Sequence, residues 1–249
     1  MNIGQHPITG GMVQQLNKLD IIANNLANSN TTGYKEKNIT TETFSALLSN
    51  YPKKLNLNID RNTVEGASFI NQSLNMIPVP GHHYTKDGNG SLQFTGNNLD
   101  FAIVHKNSFF IVENPKTHER FLTRDGSFVQ MGDYLKTKDG LNVLSNNLTP
   151  IDTKKEGFEN RLALINDKYE NMKPVGNNLY NTPNKLDNVT KLISTKDVII
   201  QGNLETSNIN GVMEMTKMIE TNRLFEQLTK ISKTLQETDS LSNKEIGKA

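Results

Sequence analysis

The five histidines, His6, His82, His83, His105 and His118, are the side chains best suited to proton transfer or metal binding near neutral pH. None stands four residues from another on a helical pattern, and none has a carboxylate companion at metal-ligand spacing. The chain has 0 cysteines, which excludes disulfides, thiolate ligands and cysteine nucleophiles. It carries no G-x-S-x-G, Walker loop or G-x-G-x-x-G. Gly88-Asn89-Gly90 is like the start of a phosphate loop but opens no helix, so it reads as a turn. Arg124-Asp125 is the best polar pair. Catalysis there needs a second acid or base that the sequence does not name, and the pair reads as a turn with Asp125 bonding its own backbone. Lys53-Lys54 and Lys154-Lys155-Glu156 read as solvated loops. Glu220, Arg223 and Glu226 have the spacing of intrahelical pairs worth about 0.2–0.5 kcal/mol each, unless Arg223 reaches another subunit. No catalytic, cofactor or metal site is therefore expected.

Bulk composition narrows the partners. Lys+Arg is 27 against Asp+Glu 26, so no net field favours nucleic acid or an anionic membrane. With 0 Trp and 6% aromatic residues, base-stacking platforms and aromatic sugar-binding surfaces are disfavoured. Hydrophobic residues make up only 35% of 249 residues, so a core plus an accessory region is expected rather than one large core. The first residues lack a basic start and an apolar stretch, and no apolar run approaches the ~20 residues of a membrane span. The expectation is a chain that stays in the cytosol or leaves by a route without a cleaved signal, with no membrane insertion.

The elements follow from periodicity. Met12, Leu16, Leu19, Ala23 and Leu26 alternate by four and three, predicting a helix with a coiled-coil-like seam over residues 8–30. Gly10 and Gly11 are expected ahead of it, and Gly33 is expected to end it. Between Met1 and Tyr34 the only charged residues are Lys18 and Asp20, and the non-seam positions are Gln14, Gln15, Asn17, Asn24, Asn25 and Asn28. Asparagine is a poor helix former, and an amide face has no charge to desolvate, so this face is expected against protein. Residues 34–79 show poor periodicity. A helical turn over 42–48 is expected, then a break at Tyr51-Pro52 and extended chain from Met76 to Gly81.

From His82 the texture turns to β. Leu92/Phe94 and Leu99/Phe101/Ile103 alternate, and Phe109-Phe110-Ile111-Val112 reads as a buried strand. Turn signals recur at Asp87-Gly88, Gly96-Asn97, Asp125-Gly126, Gly132-Asp133 and Asp139-Gly140. Asp125-Gly126 predicts a hairpin with positive φ at Gly126. Leu162–Ile165 and Val198–Ile200 read as weaker strands, with Asn-rich loops over 173–188 between them. A final helix is predicted over 210–243, with Asn210 as N-cap, Glu214 on the first-turn dipole, and Leu224, Leu228, Ile231 and Leu235 at spacings of four and three. The expected fold is α+β, with N- and C-terminal helices pairing as a coiled-coil-like region and a central, mostly antiparallel β domain. Expected divisions are 1–34, a connector 35–81, the β domain 82–205 and the helix 206–249.

Four motifs then resemble one family in order. LDIIANNLANSNTTGY, residues 19–34, resembles the A-x-N-L-A-N … N-T-x-G-[FY] signature of bacterial flagellar rod and hook proteins, matching at Ala23, Asn25, Leu26, Ala27, Asn28, Asn30, Thr31, Gly33 and Tyr34. Thr95–Ile103 resembles the family's stretch before its G-F-F strand, with Ser108 where Gly is usual. Thr123–Phe128 resembles T-R-D-G-S-F, and Gly202–Asn210 resembles G-x-L-E-x-S-N-V-N with Ile209 for Val. Met218-Ile219, Arg223 and Phe225-Glu226 fit the family's C-terminal helix. The short chain resembles rod better than hook. Met215–Ile219 and Arg223–Glu226 lean toward the proximal-rod type, with the distal-rod type next.

The resemblance implies a non-enzymatic structural subunit of the flagellar basal-body rod, polymerising into the axial drive shaft and export channel. Terminal helices would line the inner tube and the β domain would lie outside. Implied partners are other rod and hook subunits, copies of itself and the flagellar type III export apparatus. The implied location is the periplasm-spanning rod. The expected assembly interface is Leu16, Leu19, Ala23, Asn25, Leu26, Asn28 and Gly33 with Arg223, Leu224, Phe225, Leu228, Ile231 and Leu235. The rival readings are a hook-type or minor axial adaptor subunit, a soluble oligomeric enzyme, and a carbohydrate-binding module.

Overall fold

A computed structural model describes residues 5–43, 78–155, 157–181 and 198–246. They form an α+β protein with a helix at each end and a mostly antiparallel sheet region between them. Two compact units result. Of the described residues, one holds those up to 26, 38–43, 78–84 and 211–246; the other holds 27–37, 85–155, 157–181 and 198–210.

The second unit is built around β5, Ser108–Glu113, whose every residue is buried. Successive side chains of a strand point to opposite faces, so an unbroken apolar run must be covered on both. Phe110 and Val112 enter one core cluster with Phe101, Phe128 and Leu164; Phe109 and Ile111 enter another with Leu122, Tyr169 and Tyr180. The Phe109 ring meets Tyr169 and Tyr180 edge-on at centroid distances of 5.0 and 6.0 Å. One edge of β5 pairs with β6, Arg120–Thr123. Its other edge is shared, with β9, Asn142–Val143, at one end and β10, Leu164–Asn166, at the other. Outward from these lie β7, Val129–Met131, and β8, Tyr134–Lys136, on one side, and β11, Lys173–Gly176, and β12, Leu179–Asn181, on the other. Two short ribbons complete the unit: β4, Phe101–Ile103, with β13, Ile199–Gln201, and β3, Leu92–Phe94, with β14, Asn203–Glu205.

Gly132 and Gly140 sit in the expected turns, both with positive φ. Asp125-Gly126 does not form the expected hairpin. The flanking strands β6 and β7 pair with other partners, and Gly126 lies outside the positive-φ set. Glycine is required there by proximity instead, since a Cβ would stand 1.7 Å from the Phe101 carbonyl oxygen, beside the Phe101 N–H to Gly126 C=O bond of 3.0 Å. Residues 173–181, expected as loop, form the β11–β12 hairpin with Asn177 and Asn178 in the left-handed region. Asparagine tolerates that conformation because its short polar side chain bonds locally.

The first unit contains α1, Gln5–Ala27, a ribbon of β1, Lys37–Thr43, with β2, Pro78–Thr85, and α2, Gly211–Ile246. The helical turn expected over 42–48 gives way to strand at 42–43; its remainder, and the connector reading over 44–77, lie outside the described residues. Gly10 and Gly11 fall inside α1 rather than ahead of it. The physical reason is helix approach, as a Cβ on Gly11 would touch Leu228 Cδ1 at 3.4 Å. Near the other end, Asn25 Nδ2 donates to Glu214 Oε2 at 3.3 Å, so α1 and α2 run antiparallel. At 1.5 Å per residue, the 36 residues of α2 span about 54 Å. Thr216, Thr221, Thr229, Thr234 and Thr238 each donate their hydroxyl to the α2 carbonyl four residues earlier.

Candidate functional site

Two constructions stand out, a pair of apolar helix faces and a buried charge network. The buried and half-buried positions of α2 include Glu214, Met218, Thr221, Phe225, Leu228, Ser232, Leu235 and Asp239, which alternate by four and three, with Lys217 and Thr229 beside them. Leu224 and Ile231, assigned to the same seam from sequence, sit beside it at 47% and 50% exposure. Met213 is 60% exposed, on the same flank of the helix. Arg223 is exposed as well. On α1 the buried positions are Gly11, Ile22 and Asn25. Leu16 and Ala23 are exposed, whereas Leu19 and Leu26 are half-buried. The structure thus brings Asn25 and Leu228 into the contact between the two helices, and leaves Leu16, Ala23, Leu224 and Ile231 facing outward. A buried Asn–Glu contact of this kind favours one register, because a slip separates the two groups.

Asn28 and Gly33 belong to the other unit. Asn28 is half-buried and accepts a hydrogen bond from Thr31 Oγ1. Residues 31–36 lie as a strap on the β unit. Gly33 takes φ +66°, and a Cβ on it would stand 2.6 Å from the Arg124 carbonyl, so only glycine fits. Gly33 N–H donates to the Glu205 carbonyl at 2.8 Å. Thr32 Oγ1 donates to Asp125 Oδ1 at 2.6 Å, and Asn178 Nδ2 donates to the Thr32 carbonyl at 2.9 Å. Asp125 also accepts from the Ser127 backbone N–H, as its turn reading required.

Beneath the strap sits the charge network. Glu205 Oε1 accepts from Lys35 Nζ at 2.6 Å and from Gly90 N–H at 2.9 Å, and Oε2 accepts from Arg124 Nε at 2.7 Å. The side chains of Lys35, Arg124 and Glu205 are each 1% exposed. Arg124 spends its remaining donors on the carbonyls of His105, Ser108 and Ile103 and on Asn89 Oδ1, and Lys35 also donates to the Gly88 carbonyl. Burial lowers the Lys35 pKa below the ordinary lysine value; the Glu205 carboxylate opposes this and the Arg124 charge adds to it. Every polar atom of the carboxylate is engaged, which is the condition for a buried ion cluster to be tolerated. The network holds three segments together and leaves no free acid or base for chemistry.

Sequence reasoning found Arg124 and Gly33 but missed Lys35 and Glu205. The available signal was isolation, since Glu205 is the only charged residue from Val198 to Met213. Among the described residues no cluster of three or more metal-ligating side chains occurs, and no helix is long and apolar enough to cross a membrane.

Comparison with known proteins meets these same segments. A family described as flagella basal body rod protein matches residues 9–35, covering most of α1 and most of the strap. A second, described as flagellar basal body rod FlgEFG protein C-terminal, matches residues 200–244, covering β14, with Glu205, and most of α2. The flagellar basal-body rod protein FlgF of Caulobacter vibrioides is 30% identical over 93% of this chain and 92% of its own length. The flagellar basal-body rod protein FlgG of Agrobacterium fabrum is 30% identical over 95% of this chain and 96% of its own. The flagellar hook-basal body complex protein FlhO of Bacillus subtilis is 25% identical over 98% of each chain. With exposed apolar helices at both ends, a strap locked by buried charge and relatives aligned along nearly its whole length, the chain belongs to the flagellar basal-body rod protein family and is a structural component of the basal body.

Proposed function

We propose that this subunit polymerises into the rod through α1 and α2, which pair as a coiled-coil-like stalk and line the tube that serves as drive shaft and export channel. The observation that supports this most directly is the exposure of Leu224 and Ile231 on a helix already packed through Leu228. Burying one such side chain contributes about 1.5–3 kcal/mol, and a helix that leaves several in water is incomplete without partners. Copies of itself and neighbouring rod and hook subunits fill that role. The interface comprises Leu16, Leu19, Ala23 and Leu26 on α1, with Arg223, Leu224, Phe225, Ile231 and Leu235 on α2. The chain acts as a structural element without an enzymatic step and travels through the flagellar type III export apparatus. The proximal rod position is the favoured one, on the residues Met215–Ile219 and Arg223–Glu226.

The test is Leu224→Asp together with Ile231→Asp, scored for recovery of the chain in purified basal bodies and for swimming. Both positions are exposed in the single chain, so circular dichroism of the variant should match wild type while incorporation falls at least tenfold. Normal incorporation of the double variant refutes the assignment of this face.

A further inference from the structure

The β3–β14 ribbon carries a surface that no other strand pairs with among the described residues. All three residues of β3 are exposed, with Phe94 at 78% and Leu92 at 44%, and nearby Ile200 at 40%. The Phe94 ring lies over two glycines, with ring carbons 3.7 and 3.8 Å from where a Cβ on Gly96 or Gly202 would stand. Register adds an open backbone edge. Thr206 N–H donates to the Ser91 carbonyl and Thr95 N–H to the Gly202 carbonyl, so the odd-numbered residues of this stretch bond across the ribbon. Leu92 and Phe94 therefore aim their N–H and C=O groups at the other edge. Natural proteins blunt such edges with charge, proline or bulges. Here no charged residue occurs from Gly88 to Leu99 or from Val198 to Leu204.

We propose that this edge is a second contact surface, seated against another copy of this chain. Three apolar side chains and one short edge cover far less than the ~800 Å² per partner of a stable complex. The surface is too small to recruit a partner from solution, so its occupant is a chain already held by a larger contact. A neighbouring copy held through the helices meets that condition, at an effective concentration that makes a weak contact productive. Chain continuity agrees, because only residues 206–210 separate β14 from α2. The rim matches in chemistry too. Gln93, Thr95, Asn97, Asn98, Gln201 and Asn203 are amides and hydroxyls, the same uncharged type that dominates the first 34 residues. This inference rests on the rod reading above.

The absence of native cysteine makes the test clean, since Phe94→Cys carries the only thiol in the chain. The variant is labelled through that thiol with a benzophenone, and basal bodies assembled from it are illuminated. The expected product is a crosslinked pair of twice the 27.9 kDa chain mass, absent from the dilute unassembled protein. A matching Phe94→Asp variant should retain the wild-type near-ultraviolet dichroism while its incorporation drops several-fold. Crosslinks only to a different basal-body protein, or none in assembled rods, overturn the proposal while leaving the rod reading intact. Wild-type chain that never enters basal bodies overturns the rod reading and this contact with it.

Discussion

Replacing Glu205 with Gln tests the buried network directly. The carboxylate is acceptor-only and serves three donors, Lys35 Nζ and Gly90 N–H on one oxygen and Arg124 Nε on the other. A Gln side chain offers one acceptor and turns an NH₂ group toward one of those donors. Two cations that are each 1% exposed then lack their counter-charge. Breaking a buried pair in this way typically costs about 3–5 kcal/mol. That is a large fraction of the ~5–15 kcal/mol total stability of a domain. At about 3–5 °C per kcal/mol for a unit of this size, the midpoint should fall by about 10–20 °C. Lys35→Met should cost less, because Glu205 keeps Arg124 and Gly90. Combining the two should lose less than the sum, since the double variant strands one charge fewer. With no tryptophan in the chain, near-ultraviolet dichroism from Tyr169 and Tyr180 packed on Phe109 is the natural readout. Raised salt should leave these differences nearly unchanged, because buried pairs are weakly screened. A Glu205→Gln loss under about 1 kcal/mol, or strict additivity in the cycle, would refute the claim that the three charges act as one unit.

Gly126→Val should destabilise the β unit by more than about 2 kcal/mol through its clash with the Phe101 carbonyl; urea unfolding that matches wild type would contradict the close approach. Burial raises the Tyr169 and Tyr180 phenols above the ordinary value of 10.0, so above pH ~10 the unfolded chain loses protons that the folded chain keeps, and stability falls as pH rises. The lowered Lys35 and Lys37 work in the opposite sense, adding stability as pH climbs toward 10.5. Tyrosinate absorbance should show both buried phenols ionising only with unfolding, and smooth titration of every tyrosine in a folded chain would count against it.

What the sequence made readable followed local rules. The Phe109–Val112 run could only be a strand covered on both faces, and Gly132 and Gly140 stood between short apolar stretches that do pair with each other. Asp125-Gly126 carried the same local signal and misled, because its flanking strands take partners elsewhere and its glycine answers to Phe101 rather than to φ. The β11–β12 hairpin puts asparagines, Asn177 and Asn178, at both central turn positions, with Gly176 just before them. The seam positions of α2 divide for a related reason: Leu224 and Ile231 are exposed, whereas Leu228 and Leu235 lie on the less exposed line with Thr221, Phe225 and Ser232. Hydrophobic spacing records the total apolar width of a helix and not which strip its own chain covers. The partners of Glu205 could not be read from local spacing, since Arg124 and Lys35 lie 81 and 170 residues away in sequence and only the isolation of the charge marked it.

The threonines of α2 bear on the heat of assembly. Each hydroxyl proton is already committed to the helix's own backbone, at 2.7–3.0 Å, and at the exposed Thr216, Thr234 and Thr238 the rest of the side chain is a methyl group. Moving such a surface from water to protein breaks no donor bond that must be remade by a partner. Its calorimetric signature should therefore be that of hydrocarbon transfer, a negative heat-capacity change with little enthalpy near room temperature. A helix with glutamine at Thr216, Thr234 and Thr238 would have to find new partners for its amides on docking, and its association enthalpy would vary with every neighbour it met. The threonine-lined helix can meet chemically different neighbours at similar enthalpy.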